Sequence, residues 1–149
     1  MTEPSPGTHA AASSAYLLAL GRATYNFACL EWSVKQLMER LRPGHLEPKH
    51  SRTAGELAED FLHAARKTDL SDAAINDLVD AGHRFRAMVP IRNDLLHAHP
   101  VTAANGEAML ARNHTNSFNT WERAEIDEAA DSFAEVTRAV AEVQRKYLA

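Results

Sequence analysis

A single cysteine in the chain excludes an internal disulfide. Cys29 sits among Phe27, Ala28 and Leu30, where it reads as a buried, inert thiol rather than a nucleophile. No apolar run is long enough to span a bilayer. The N-terminus carries Glu3, Pro4 and Pro6 and lacks the basic start of a signal peptide. A cytoplasmic protein with no membrane partner is therefore expected. Glycine and proline number only six each, and most fall near the N-terminus or between predicted helices. There is no glycine-rich phosphate loop, no Walker lysine, no Ser-His-Asp order and no internal repeat. Lysine and arginine are outnumbered, 16 against 20 acidic residues, for a net charge of −4. That balance argues against a surface coated for duplex DNA but leaves room for a local basic site.

What is present reads as helical. At 149 residues and 45% apolar content the chain is long enough for one domain with a real core. Residues 1–11 read as a disordered tail and residues 12–149 as a single helical domain. Helix one is expected from His9 or Ala12 to the Arg42-Pro43-Gly44 breaker, near thirty residues and the longest element. Leu20, Phe27, Val34 and Leu41 recur every seven residues, with Leu17, Thr24, Glu31 and Met38 as the companion series of an apolar seam. A carboxylate on such a seam needs a cation, and Arg92 is the first candidate for Glu31; alternatively the helix rotates and leaves Glu31 partly exposed. His45 to Arg52 reads as a loop. Thr53 and Glu56 form a capping box that opens a second helix burying Leu57, Phe61, Leu62 and Ala65. Ser71 or Asp69 caps a third, which Pro90 should kink or split. Asn105-Gly106 between short extended stretches predicts a hairpin or a protruding loop. A last helix from Glu122 to Tyr147 runs from an acidic start to a basic end, as its dipole favours. The expected fold class is all-α, an up-and-down bundle of four or five helices with a short β-hairpin or loop excursion before the last helix.

The stretch Arg92-Asn93-Asp94-Leu95-Leu96-His97 concentrates the chemistry. It forms the end of a kinked helix or a short helix of its own, anchored by Leu95 and Leu96. Arg84, Arg86 and Arg92, with His83, His97 and His99 interleaved and Asp94 the lone acid, make a basic island in an acidic chain. Arginine binds phosphate through a planar fork that never loses its charge. Histidine gives or takes a proton near neutral pH. The arrangement resembles the Arg-x4–6-His signature of the HEPN family, small helical proteins that include many metal-independent RNases, and the Asn after the Arg is typical of that family. The resemblance implies Arg92, His97 and Asn93 as catalytic residues, with Glu31, Asp94 and His99 in support. It further implies RNA cleaved through attack by its own 2′-OH, no cofactor, no metal, and DNA left intact. Such RNases act as toxins or in phage defence, so an antitoxin protein is a candidate partner. The other reading is a non-catalytic HEPN-like module for dimerisation or nucleotide binding.

On one helix Arg92 and His97 diverge by roughly 140°, so a single chain does not easily aim both at one phosphate. A homodimer does, by placing both copies of each residue in one cleft, as the resemblance implies. The seam is expected across Phe85 to His99, with Met88, Val89, Ile91 or Leu95 as its apolar part. A zinc site from His97, His99, His114 and Glu107 requires an extended segment, since a helix sets the two histidines far apart in angle. Trp32 and Trp121 read as core residues rather than stacking platforms.

Overall fold

The structure, a computed structural model, describes residues 11–46, 52–112 and 119–149. Four helices carry most of it: α1 (Ser14–Leu41), α2 (Ala54–Arg66), α3 (Asp72–Leu96) and α4 (Arg123–Tyr147). A small antiparallel sheet of β1 (His99–Thr102), β2 (Ala108–Ala111) and β3 (Thr120–Trp121), in that order, lies between α3 and α4 in the chain. The expected excursion is thus a three-stranded sheet. β3 has only two residues, too short for a periodic signal, and follows the segment 113–118 that is not described. The tail expected over 1–11 lies, but for Ala11, outside the described residues. No helix among the described residues is long and apolar enough to cross a membrane.

Local chemistry explains the helix ends. The Ser13 hydroxyl accepts from the Tyr16 amide and Ser71 from the Ala74 amide, each at 3.2 Å, satisfying donors that an N-terminus leaves orphaned. Thr53 and Glu56 exchange side-chain and backbone bonds in a capping box. α3 does not split at Pro90. The proline sits on the exposed side, where water can satisfy the carbonyl it leaves unpaired. At the hairpin, Gly106 takes φ +84°, a left-handed conformation that costs glycine little, and the Ala103 amide bonds the Glu107 carbonyl at 2.8 Å to close the turn.

α1 packs chiefly on α4, α2 on α3, and α3 on α4. The buried side of α1 is Tyr16, Ala19, Ala23, Phe27, Leu30, Val34, Leu37 and Met38. The seam therefore departs from expectation: Leu17 and Thr24 lie outside it, and Trp32, read as core, is exposed. Cys29 is only partly buried. Phe27 stands at the centre, 5.1 Å from the Phe133 ring and 6.2 Å from Phe85. Gly82 lets α2 and α3 close, since a Cβ there would lie 2.7 Å from Leu62 and 2.8 Å from Phe61, both fully buried.

One side chain fastens the sheet to α1. The buried Tyr16 hydroxyl donates to the Trp121 carbonyl at 2.7 Å and accepts from the Leu110 amide at 2.9 Å. Burial raises its pKa above the ordinary tyrosine value, keeping it a donor.

Candidate functional site

The last turns of α3 carry Arg92, Asn93 and Asp94, and α3 stays helical through Leu96. Leu95 is buried and holds this turn against the core. Arg92 lies half-buried with its guanidinium carbon 5.3 Å from the centre of the Phe27 ring. That position suits a cation, because the ring face is electron-rich. Its Nη1 donates to the Asn93 side-chain oxygen at 2.9 Å. Asn93 thus orients the arginine, and its backbone carbonyl accepts the His97 amide at 2.9 Å.

Arg92 opens onto a groove of about 120 Å³ between α1 and α3. Phe27, Ala28, Leu95, Leu96 and Phe133 form apolar walls, and Thr24, Glu31 and Arg92 supply the polar atoms. Glu31 does reach a cation, but that cation is Lys35, at 2.9 Å and one helical turn along. The i,i+4 spacing of an acid before a base makes this the nearest partner available, ahead of Arg92 on another helix.

The basic island divides when its partners are counted. Arg84 pairs with Glu135 and Arg86 with Glu59, so α4 and α2 neutralise these two. Among the described residues no carboxylate lies within ion-pair distance of Arg92. Asp94 turns the other way, to Arg112 at 3.4 Å, and Arg112 also reaches Glu125 at 3.0 Å. The Arg112 guanidinium stacks 3.8 Å over Trp121. Arg112 joins α3, the end of β2 and the first turn of α4, a role its position beside polar loop residues did not disclose. A cation directly after a strand and a tryptophan directly before a helix were the available signals.

His97 is the C-cap of α3, with φ −92° and ψ 0°, and is exposed. It does not line the Arg92 groove. The helical path through Leu96 preserves the angular divergence of Arg92 and His97, so one chain does not bring the two together. His99 opens β1, exposed and paired in register with Ala111. Among the described residues no three His, Cys, Asp or Glu side chains gather as metal ligands, and His114 lies outside the described residues. The apolar seam expected near Arg92 is also spent within the chain. Val89 and Leu95 are buried in its core, Met88 and Ile91 pack against it, and Phe85 is fully enclosed. Leu96 alone in this stretch is an exposed large hydrophobe.

No protein-family model, curated protein or solved structure matches the chain.

Proposed function

We propose that this chain is a HEPN-like, metal-independent endoribonuclease whose site is completed by two copies, its four helices forming an up-and-down bundle of that type. The observation that carries the reading is Arg92: among the described residues it is the one arginine of the island with no carboxylate at ion-pair distance, held on Phe27 and by Asn93 at the mouth of an open groove. A cation so placed suits a phosphate, whose oxygens gain charge as a pentavalent transition state forms. His97, exposed one turn on, takes the proton from a ribose 2′-OH, and that oxygen attacks the adjacent phosphorus. The P–O5′ bond breaks, and His97 of the second copy protonates the departing oxygen. The products are a 2′,3′-cyclic phosphate and a 5′-hydroxyl. DNA lacks the nucleophile. Asp94 and His99 act in support, Asp94 through Arg112 and His99 from the adjoining strand. A toxin or phage-defence role, with an antitoxin protein as partner, belongs to the same reading.

A second reading has its own observation. Within one chain Asn93 bonds Arg92, and His97 lies outside the groove, an arrangement that suits binding of a nucleotide phosphate without cleavage. Incubation of labelled RNA and the matching DNA with the purified protein in EDTA separates the two. RNA cut to cyclic-phosphate ends, with DNA intact, is the expected result. Nucleotide binding without any cleavage replaces the first reading with the second.

A further inference from the structure

The side of α1 opposite the core is apolar too. Leu18, Gly21, Tyr25, Ala28 and Trp32 follow one another at alternating spacings of three and four residues, and all are exposed. Leu18 is 73%, Tyr25 70% and Trp32 52% exposed. These positions share one stripe of the helix over ~21 Å of its length. No charged residue stands on the stripe from Leu18 to Trp32. Leu17, 54% exposed, borders it. Two such surfaces would bury on the order of 1,000 Å² in all, the threshold for a specific interface.

We infer that this stripe is the seam on which a second copy of the chain docks, the two α1 helices running antiparallel about a twofold axis between Tyr25 and Ala28. The sizes of the residues select this occupant. With the axis there, Gly21 lies opposite Trp32 of the second copy, and Tyr25 opposite its Ala28. Each large side chain meets a small one, and the operation repeats both pairs. Self-complementarity of this kind is what a twofold interface requires. Gly21 fits the part for a second reason. A Cβ on it would meet nothing within 4 Å among the described residues, so none of them calls for a glycine in the middle of this helix. A glycine there weakens the helix, whereas an opposing indole gives the vacancy a use.

The inference deepens the two-copy reading of the site and rests on it for the functional consequence. A twofold axis perpendicular to two antiparallel helices keeps each flank on its own side of the seam. Thr24 and Glu31, on one flank of α1, border the Arg92 groove. Both grooves therefore open on the same side of the seam, on either side of its midline. The composite cleft arises without the core residues of α3.

Sedimentation of the full chain from sub-micromolar to tens of micromolar tests the seam, with RNA cleavage measured in parallel. The wild type should dimerise. Trp32→Ala should weaken the dimer about tenfold or more, as loss of an aromatic anchor seated in a pocket of the partner does. Gly21→Leu should do likewise while leaving the monomer at least as resistant to heat, since a Cβ there meets none of the described residues within 4 Å and leucine favours the helix over glycine. A wild type that remains monomeric overturns the inference and assigns the stripe to a different partner. A dimer that survives both changes also overturns it, yet leaves the two-copy reading of cleavage standing. A dimer lost on both changes, from a wild type that never cuts RNA, keeps the seam and removes the RNase reading.

Discussion

Arg92 and Arg112 each rest on an aromatic ring, and there the likeness ends. Arg112 lies 3.8 Å over Trp121 between two carboxylates, Asp94 and Glu125. Arg92 lies 5.3 Å over Phe27 with a neutral amide for company. Local charge balance decides what each can do. A guanidinium already facing two carboxylates offers little to a further anion, and its positive charge serves to join α3, β2 and α4. A guanidinium held by a ring face and an amide, with no carboxylate at ion-pair distance among the described residues, has its charge uncompensated by them and can attract an anion. The two residues are the same in kind, so substitutions at the pair separate binding from support.

The largest effect is expected where charge is free. On the proposed RNase reading, Arg92→Ala and His97→Ala should each lower the rate of RNA cleavage by ~10²–10⁴-fold, the usual loss on removing a transition-state or proton-transfer group. Neither should unfold the protein, because His97 is exposed and Leu95 anchors the turn. Circular dichroism checks the fold and a gel assay the rate. If Arg112→Ala proves as damaging to cleavage in folded protein, the contrast between the two arginines fails.

Next in size is the effect on stability, and it should fall on the other member. Arg112→Ala strands Asp94 and Glu125 and exposes the Trp121 face, which should cost about 1–3 kcal/mol. Arg92→Ala leaves no carboxylate alone among the described residues and should cost less, about 0.5–1 kcal/mol of ring contact at this half-exposed site. Urea melts of both variants rank them. Gly82→Ala serves as a packing control away from both arginines. The buried Phe61 and Leu62 cannot yield to a Cβ, so a loss of about 1–3 kcal/mol is expected there with the arginines intact.

Glu31 tunes the comparison more gently. It borders the Arg92 groove while bonding Lys35, and the pair is partly exposed. Glu31→Gln should change stability by less than about 1 kcal/mol, as for most exposed pairs. It should also tighten phosphate binding by a few-fold at low salt, because a carboxylate near the guanidinium repels the anion. Isothermal titration with a mononucleotide reads the change, and equal affinity in the two proteins would dismiss Glu31 from the groove's electrostatics.

How far these sites were legible depends on the range of the signal. The caps at Thr53 and Ser71 and the turn at Asn105-Gly106 are written in neighbouring residues, and they form as read. The Glu31–Lys35 pair is equally local, four residues apart, but Glu31 also stands in the apolar seven-residue series, a pattern that points to a partner on another helix. Helix α1 shows a different limit. A seven-residue repeat runs through Leu20, Phe27 and Val34 and equally through Leu18, Tyr25 and Trp32, and periodicity alone does not say which series meets the core. Only the positions of α2, α3 and α4 decide that. Arg92 and His97 stand out by type and spacing, but whether they converge is a matter of two helices or two copies. Arg112 joins residues 13 and 18 positions away, beyond any helical spacing.

The smallest effect sits at the far end of α4, away from both arginines, and shows whether partnered charge matters where the partners are only partly buried. The Tyr147 hydroxyl donates to Asp77 at 2.6 Å, and Lys146 stands 3.5 Å from the same carboxylate. The tyrosine hydrogen bond is the main cause that holds the Asp77 carboxyl below its ordinary range, with the Lys146 charge adding to it. A depressed folded pKa means the unfolded chain binds the proton more readily. The stabilisation is therefore fully present above the unfolded carboxylate pKa and is lost as pH falls through the lower folded value. Tyr147→Phe should move the Asp77 titration, followed by NMR, back toward the ordinary range. It should also lower the melting temperature slightly at neutral pH and by less in acid, where both proteins carry a protonated Asp77. A difference that instead grows as pH falls would mean the hydroxyl favours the protonated carboxyl, contrary to the geometry.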